Sequence, residues 1–201
     1  GALDGLRVLD LTRVLAGPFC TMLLGDMGAD VVKVEPRGGD ETRGWGPPYL
    51  GTESAYFLGV NRNKRGITLD PPTPGGRDVL ARLAARSDVL VENFKLGTLG
   101  RWGFDDAWFD AHAPRLVRCS ITGYGPTGPR AELPGYDFIL QAESGLMSIC
   151  GEPDGEPTKY GVAIVDLSTG MLACIAILGA LAARTRTGRG QRVDVSLFET
   201  G

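Results

Sequence analysis

Short apolar, β-branched runs recur along the chain at LRVLDLT (6–12), DVVKVE (30–35), GITLD (66–70), DVLVENF (88–94), RLVRCSIT (115–122) and RVDVSLF (192–198). Helix-length segments separate them, with candidate helices at 17–28, 74–86, 105–112 and 168–184. Apolar runs of this kind suit strands covered on both faces, and their alternation with helices predicts a mostly parallel sheet with right-handed crossovers. The fold class expected is α/β, a Rossmann-like doubly wound sheet.

Ligands of such sheets bind beyond the carboxyl ends of the strands, so the informative loops follow Thr12, Glu35, Phe94 and Thr122. The first, TRVLAGPFC, is a strand-to-helix turn without G-x-G-x-x-G, which argues against nicotinamide binding. Residues 36–65 form a connection far longer than the usual few residues, and Trp45, Tyr49, Tyr56 and Phe57 predict that it is ordered and functional. A second Gly/Pro-rich loop covers 122–136. The segment MLACIAILGALAA (171–183) is shorter than the roughly 20 residues that cross a bilayer and reads as a buried helix.

Composition narrows the function classes. The 201 residues suit one domain, are 43% hydrophobic and include 30 glycines, about twice the ordinary share. A net charge of −3 argues against nucleic-acid or anionic-membrane partners, although NRNKR (61–65) and RTRTGRGQR (184–192) can meet phosphates. Cys20, Cys119, Cys150 and Cys174 are scattered, and none stands at ligand spacing from the single histidine, His112, so no metal site is expected. Three of the four lie in apolar runs and read as reduced core residues of a cytoplasmic protein. The N-terminal GALDGLRVLDLT has no signal-peptide pattern. The chain stops at VDVSLFETG, just after an apparent strand, as expected of the N-terminal part of a longer chain.

One acidic residue carries the chemical question. In VAIVDLSTGM (162–171), Asp166 ends an apolar run and opens a small-residue segment. Local sequence favours a helix cap, worth about 1 kcal/mol. Yet few salt-bridge partners are in reach, and a carboxylate ionised at neutral pH can attack an activated acyl group without a separate base. Ser120, Ser168 and Thr169 would need a base, and His112 stands away from the glycine loops. A Ser-His-Asp hydrolase is thus disfavoured. Cys20 lacks a histidine partner and reads as core.

Several stretches then act together: LDGLRVLDLTRVLAGPFCTMLLGDMGADVVKVE, NRNKRGITLD, DVLVENF, SITGYGPTGP, GYDFILQAESGLM and VDLSTGMLACIAILGAL followed by RTGRGQRVDVSL. In this order, over nearly the whole chain, they resemble the class III CoA-transferases, the formyl-CoA and carnitine CoA-transferase group. DETRGWGPPYLGTESAYFLGVNRNK looks most like the dicarboxylate branch acting on succinate- and glutarate-like acids. The resemblance implies that 1–201 is a Rossmann-like CoA-binding domain, the large domain of an interlocked homodimer. It implies further that coenzyme A serves as acyl carrier, and that Asp166 is a nucleophile passing through aspartyl-anhydride and aspartyl-CoA intermediates.

The same matching implies CoA contacts for Asn93, Phe94, Lys95 and Arg101. It implies one for Arg37 as well, although EPRGGD runs one residue shorter than the related loop. Tyr136 and Asp137 would line the acyl pocket. Tyr136 stands where related α-methylacyl-CoA racemases carry histidine, which disfavours racemisation. Leu15 stands where formyl-CoA transferases carry glutamine, which argues against formyl and oxalate substrates. The alternatives are a racemase-like CoA-thioester enzyme and a non-catalytic CoA-binding fragment. Because family members complete the site with their second half, residues 1–201 alone are expected to turn over poorly.

Overall fold

The computed structural model describes residues 1–201 throughout. In chain order the elements are β1 (Arg7–Asp10), α1 (Ala16–Asp26), β2 (Asp30–Glu35), β3 (Tyr49–Leu50), β4 (Glu53–Ser54), α2 (Ala55–Asn61), β5 (Lys64–Thr68), α3 (Pro74–Ala84), β6 (Val89–Glu92), α4 (Thr98–Arg101), α5 (Asp106–His112), β7 (Val117–Thr122), α6 (Asp137–Glu143), α7 (Ile164–Thr187), β8 (Arg192–Ser196) and α8 (Leu197–Thr200). Six strands build one sheet in the order β5-β2-β1-β6-β7-β8, every neighbouring pair parallel. This is the doubly wound topology expected from the apolar runs, and its order reverses between β1 and β6.

Alternate strand residues serve two cores, which is why these strands read as continuous apolar runs. Val8, Val89, Val91, Val117 and Cys119 pack towards α1 and α7, whereas Leu9, Leu90 and Leu116 pack towards Leu80 of α3 and Phe109 of α5. Cys20 and Cys174 are buried in the first of these cores, and all four cysteines are free thiols.

Two features of α7 differ from the sequence expectation. It begins four residues earlier than position 168 and runs for 24 residues to Thr187, long and apolar enough by length and composition to cross a membrane. One face is nevertheless taken up inside the fold through Val165, Thr169, Ala173, Ile177 and Ala180. At Gly170 a Cβ would stand 2.6 Å from the Ala16 carbonyl oxygen, so the absent side chain is what lets α7 approach α1. The outer face leaves Met171, Leu172 and Ile175 exposed.

The long 36–65 connection is ordered, as its aromatics suggested, and buried charges fasten it to the sheet. Lys33 of β2, 2% exposed, donates from Nζ to the Thr12 carbonyl at 2.8 Å and forms an ion pair with Asp40 at 3.0 Å. Asp40 in turn caps the 3₁₀ turn at Glu41–Gly44 by accepting from the Thr42 N–H at 3.0 Å. Lys64 of β5 reaches Asp10 at 3.0 Å, the Pro18 carbonyl at 2.9 Å and Asn61 at 2.9 Å. Arg43 joins Glu35 to Glu53 through contacts of 2.7 Å each. Burial by itself would raise the carboxyls of Glu35 and Asp40. Arg43 holds the first, and Lys33 the second, below the ordinary range.

Candidate active site

The point where the sheet order reverses brings together the loops that follow β1 and β6. There the Asn93 side chain grips the backbone of Arg13: the Arg13 N–H donates to Asn93 Oδ1 at 3.0 Å, and Asn93 Nδ2 donates to the Arg13 carbonyl at 2.8 Å. The amide that sequence assigned to CoA contact is thus engaged in fixing the first loop. Val14 follows with φ +68°, a left-handed conformation that a β-branched residue adopts only under constraint.

Asp166 reaches this place from α7, on the first turn of that helix but inside it. The helix begins at Ile164, its N-cap position is Ala163, and no side chain of that residue caps it. The cap comes from α6: Asp137 Oδ1 accepts the N–H groups of Val165 at 2.7 Å and Asp166 at 3.0 Å. The reading of Asp166 as a helix cap is therefore corrected, because a carboxylate 29 positions earlier does that work and leaves the Asp166 side chain free to face the cleft.

Asp137 itself is 8% exposed, with its second oxygen accepting from Gln141 Nε2 at 2.5 Å. It stands behind the cleft wall, not on it. Burial raises the Asp166 carboxyl to about 7, with the nearby Asp137 charge as the second cause. Tyr56 feels the same charges. Burial first, then Asp166, Asp40 and Asp137, push its phenol upward.

Two clefts meet here. A cleft of about 160 Å³ is lined by Asp166, Tyr136, Asn93, Phe94, Lys95, Arg13 and Glu41, with apolar surface from Leu15, Leu133 and Leu197. The backbones of Gly123 and Gly135 touch in its wall, where a Cβ on Gly123 would stand 2.6 Å from the Gly135 Cα. An adjoining cleft of about 350 Å³ shares Arg13, Glu41 and Phe94 and continues past Pro36, Leu69, Pro71 and Trp102. Phe94 packs edge-on to Trp102 at 5.1 Å between ring centroids.

Five of the sequence-nominated residues, Asp166, Asn93, Phe94, Lys95 and Tyr136, line one cleft. Arg37 and Arg101 are exposed beside Pro36 and Trp102 of the neighbouring one, and the Arg101 guanidinium bonds Thr98 Oγ1 at 2.7 Å. Sequence reasoning missed Arg13 and Glu41, although it marked the loops that bear them. In the sequence Tyr56 marks only an ordered connection. The other nucleophile candidates stand elsewhere: burial raises the Cys20 thiol, Thr169 Oγ1 donates to the Val165 carbonyl at 2.7 Å, and exposed His112 stacks on Trp108 at 4.8 Å.

The family model described as CoA-transferase family III matches residues 3–201. The chain is 52% identical to succinyl-CoA:glutarate CoA-transferase of Mus musculus over 98% of its own length and 46% of the relative's. Succinyl-CoA:mesaconate CoA-transferase of Haloarcula hispanica is 49% identical over 100% of this chain and 52% of its own. The crystal structure of a CAIB/BAIF family protein from Brucella suis superimposes with a TM-score of 0.95 at 51% identity, over 98% of this chain and 53% of that one. The chain thus spans about half the length of the relatives it matches.

Proposed function

The chain belongs to CoA-transferase family III, and from that premise we propose that it carries the nucleophile and part of the CoA site of an acyl-CoA:carboxylate CoA-transferase acting on dicarboxylic acids. The observation that carries this reading is the placement of Asp166: a partly buried carboxylate, relieved of capping by Asp137, facing a cleft at the reversal point of the sheet. Similarity to transferases named for succinyl-CoA with glutarate or mesaconate supports the substrate class.

The chemistry follows from the carboxylate. Asp166 attacks the donor thioester carbonyl and expels CoA thiolate, giving an aspartyl-acyl anhydride. The thiolate then attacks the aspartyl carbonyl, releasing the donor acid and leaving an aspartyl-CoA thioester. The acceptor carboxylate attacks that thioester, forming a second anhydride and freeing the thiolate, which takes the acceptor acyl group and regenerates Asp166. Each step exchanges one activated acyl bond for another, so the site must exclude water, and Leu15, Phe94, Leu133 and Leu197 supply apolar walls for that. A carboxylate raised to about 7 is a better nucleophile than one near 4, while about half of it remains ionised at neutral pH.

CoA would enter through the larger cleft, with Phe94 and Trp102 against its apolar parts. The exposed Arg37 and Arg101, and Lys95 from the Asp166 cleft, would meet its phosphates, which guanidinium groups bind bidentately. The rest of the protein and a second subunit would complete the site in a homodimer. Substituting Asp166→Asn in the full-length protein tests the reading, because the amide keeps the shape and cannot form the anhydride. Transfer is expected to vanish with the fold intact, and persistent transfer would contradict it.

A further inference from the structure

Arg13 has a rigid base and a loose head. Its backbone is held by Asn93 on both sides at 3.0 and 2.8 Å, and the carbonyl before it accepts from buried Lys33 at 2.8 Å. The strained φ of +68° at Val14 fixes the direction of the loop that follows. The guanidinium, by contrast, is 59% exposed, and its one ionic partner is Glu41 at 4.0 Å, itself 54% exposed. Other cations near the site are committed, as Arg43 is to Glu35 and Glu53 and Lys33 is to Asp40. Only Arg13 and Lys95 line the Asp166 cleft as cations, and Arg13 alone stands where that cleft joins the larger one.

What anion could meet a cation at this junction? The phosphates of CoA are separated from its thiol by the whole neutral pantetheine arm. Beside the reacting carbon, the CoA thiolate is a transient charge, so the lasting negative charges that the substrates bring there are those of the acids. A monocarboxylic acid loses its charge on becoming a thioester. The second carboxylate of a dicarboxylic acid keeps its charge through both anhydrides and both thioesters, so it can be held throughout the reaction.

We propose that Arg13 is the residue that reads this second carboxylate, exchanging its weak pair with Glu41 for a bidentate contact with the acid as substrate enters the cleft. The assignment rests on the reading of the Asp166 cleft as the acyl-transfer site. Glu41 acts in it as a placeholder and a filter. It occupies the guanidinium when no acid is bound, and it repels a carboxylate that fails to displace it. Lys33 keeps the pair in register, since it holds the carbonyl before Arg13 and, through Asp40, the turn that bears Glu41. Because the contact is equally present in ground and transition states, it acts on KM more than on kcat.

The test uses the full-length protein, one acyl-CoA donor at saturation, and two acceptors, glutarate and butyrate, which differ by one carboxylate. Arg13→Met is expected to raise KM for glutarate about tenfold or more and to lower the preference for glutarate over butyrate by a similar factor, with Arg13→Lys intermediate. Glu41→Gln is expected to lower KM for glutarate, an opposite shift that a merely structural pair would not give. Equal losses with both acceptors, an unaltered preference, a wild-type protein without preference for glutarate, or a preference that moves with Lys95→Met instead would each overturn the assignment. Failure of the underlying reading is separable, since it shows as transfer by Asp166→Asn whatever the acceptor preference.

Discussion

The carboxylate of Asp137 caps the helix that carries Asp166, accepting the N–H groups of Val165 at 2.7 Å and of Asp166 at 3.0 Å on a single oxygen. One buried acid therefore orients another. It frees Asp166 from local hydrogen bonding, and its charge adds to the burial that keeps the Asp166 carboxyl basic.

Substitution of Asp137 separates these two effects. Asparagine keeps an acceptor for the helix and removes the charge, so the acidic limb of kcat/KM moves to lower pH. It also sets an amide against Gln141 Nε2, which costs about 1 kcal/mol. Alanine also removes the cap and costs about a further 1–2 kcal/mol. Thermal melts and pH–rate profiles of the two variants check this. An acidic limb that stays put in Asp137→Asn would show that the Asp137 charge does not reach the nucleophile.

The raised carboxyl has two pH signatures. Since the ionised form attacks, kcat/KM should climb about tenfold per pH unit below about 7 and level off above it. Stability runs the other way. Asp166 loses its proton near pH ~3.9 in the unfolded chain but near 7 in the native protein. Between those values the native state holds more protons, so this group lowers stability as pH rises through that window. Asp166→Asn should accordingly raise the urea midpoint at pH 8, corresponding to a gain in unfolding free energy of roughly 1–3 kcal/mol once solvent access to the carboxyl is allowed for. An unchanged midpoint would mean that the charge is well solvated.

Lys33→Met tests the ion pair that fastens the long connection. The substitution leaves Asp40, whose side chain is 1% exposed, without its counter-charge. Breaking such a pair from one side costs about 3–5 kcal/mol. The denaturation midpoint should fall accordingly, and a loss under about 1 kcal/mol would show that water replaces the ammonium. Lys33→Met with Asp40→Leu together should recover part of the loss, because the unpaired charge is then gone.

How much of this was visible in the sequence follows from the range of each interaction. The parallel sheet was legible because its central strands, such as Val89–Glu92, serve two cores and so read as unbroken apolar runs. The start of the long helix was not. Val162, Ala163, Ile164 and Val165 offer no local capping side chain, and the carboxylate that accepts the N–H groups of Val165 and Asp166 comes from another helix. Asn93 was singled out by resemblance, yet its bond to Arg13 spans 80 positions and no local pattern signals it. Arg13 and Glu41 carry no local signal for the same reason, since each looks in the sequence like a solvated surface charge. Their nearness depends on Lys33 binding Thr12 and Asp40 at once.

The most direct test of the central claim is mass spectrometry of the full-length protein after brief exposure to an acyl-CoA donor, across a panel of CoA thioesters, with the peptide containing Asp166 isolated. An acyl or CoA adduct on that peptide, absent from Asp166→Asn, is the predicted result. Active transfer with Asp166 unmodified, or with the adduct on another residue, would contradict it.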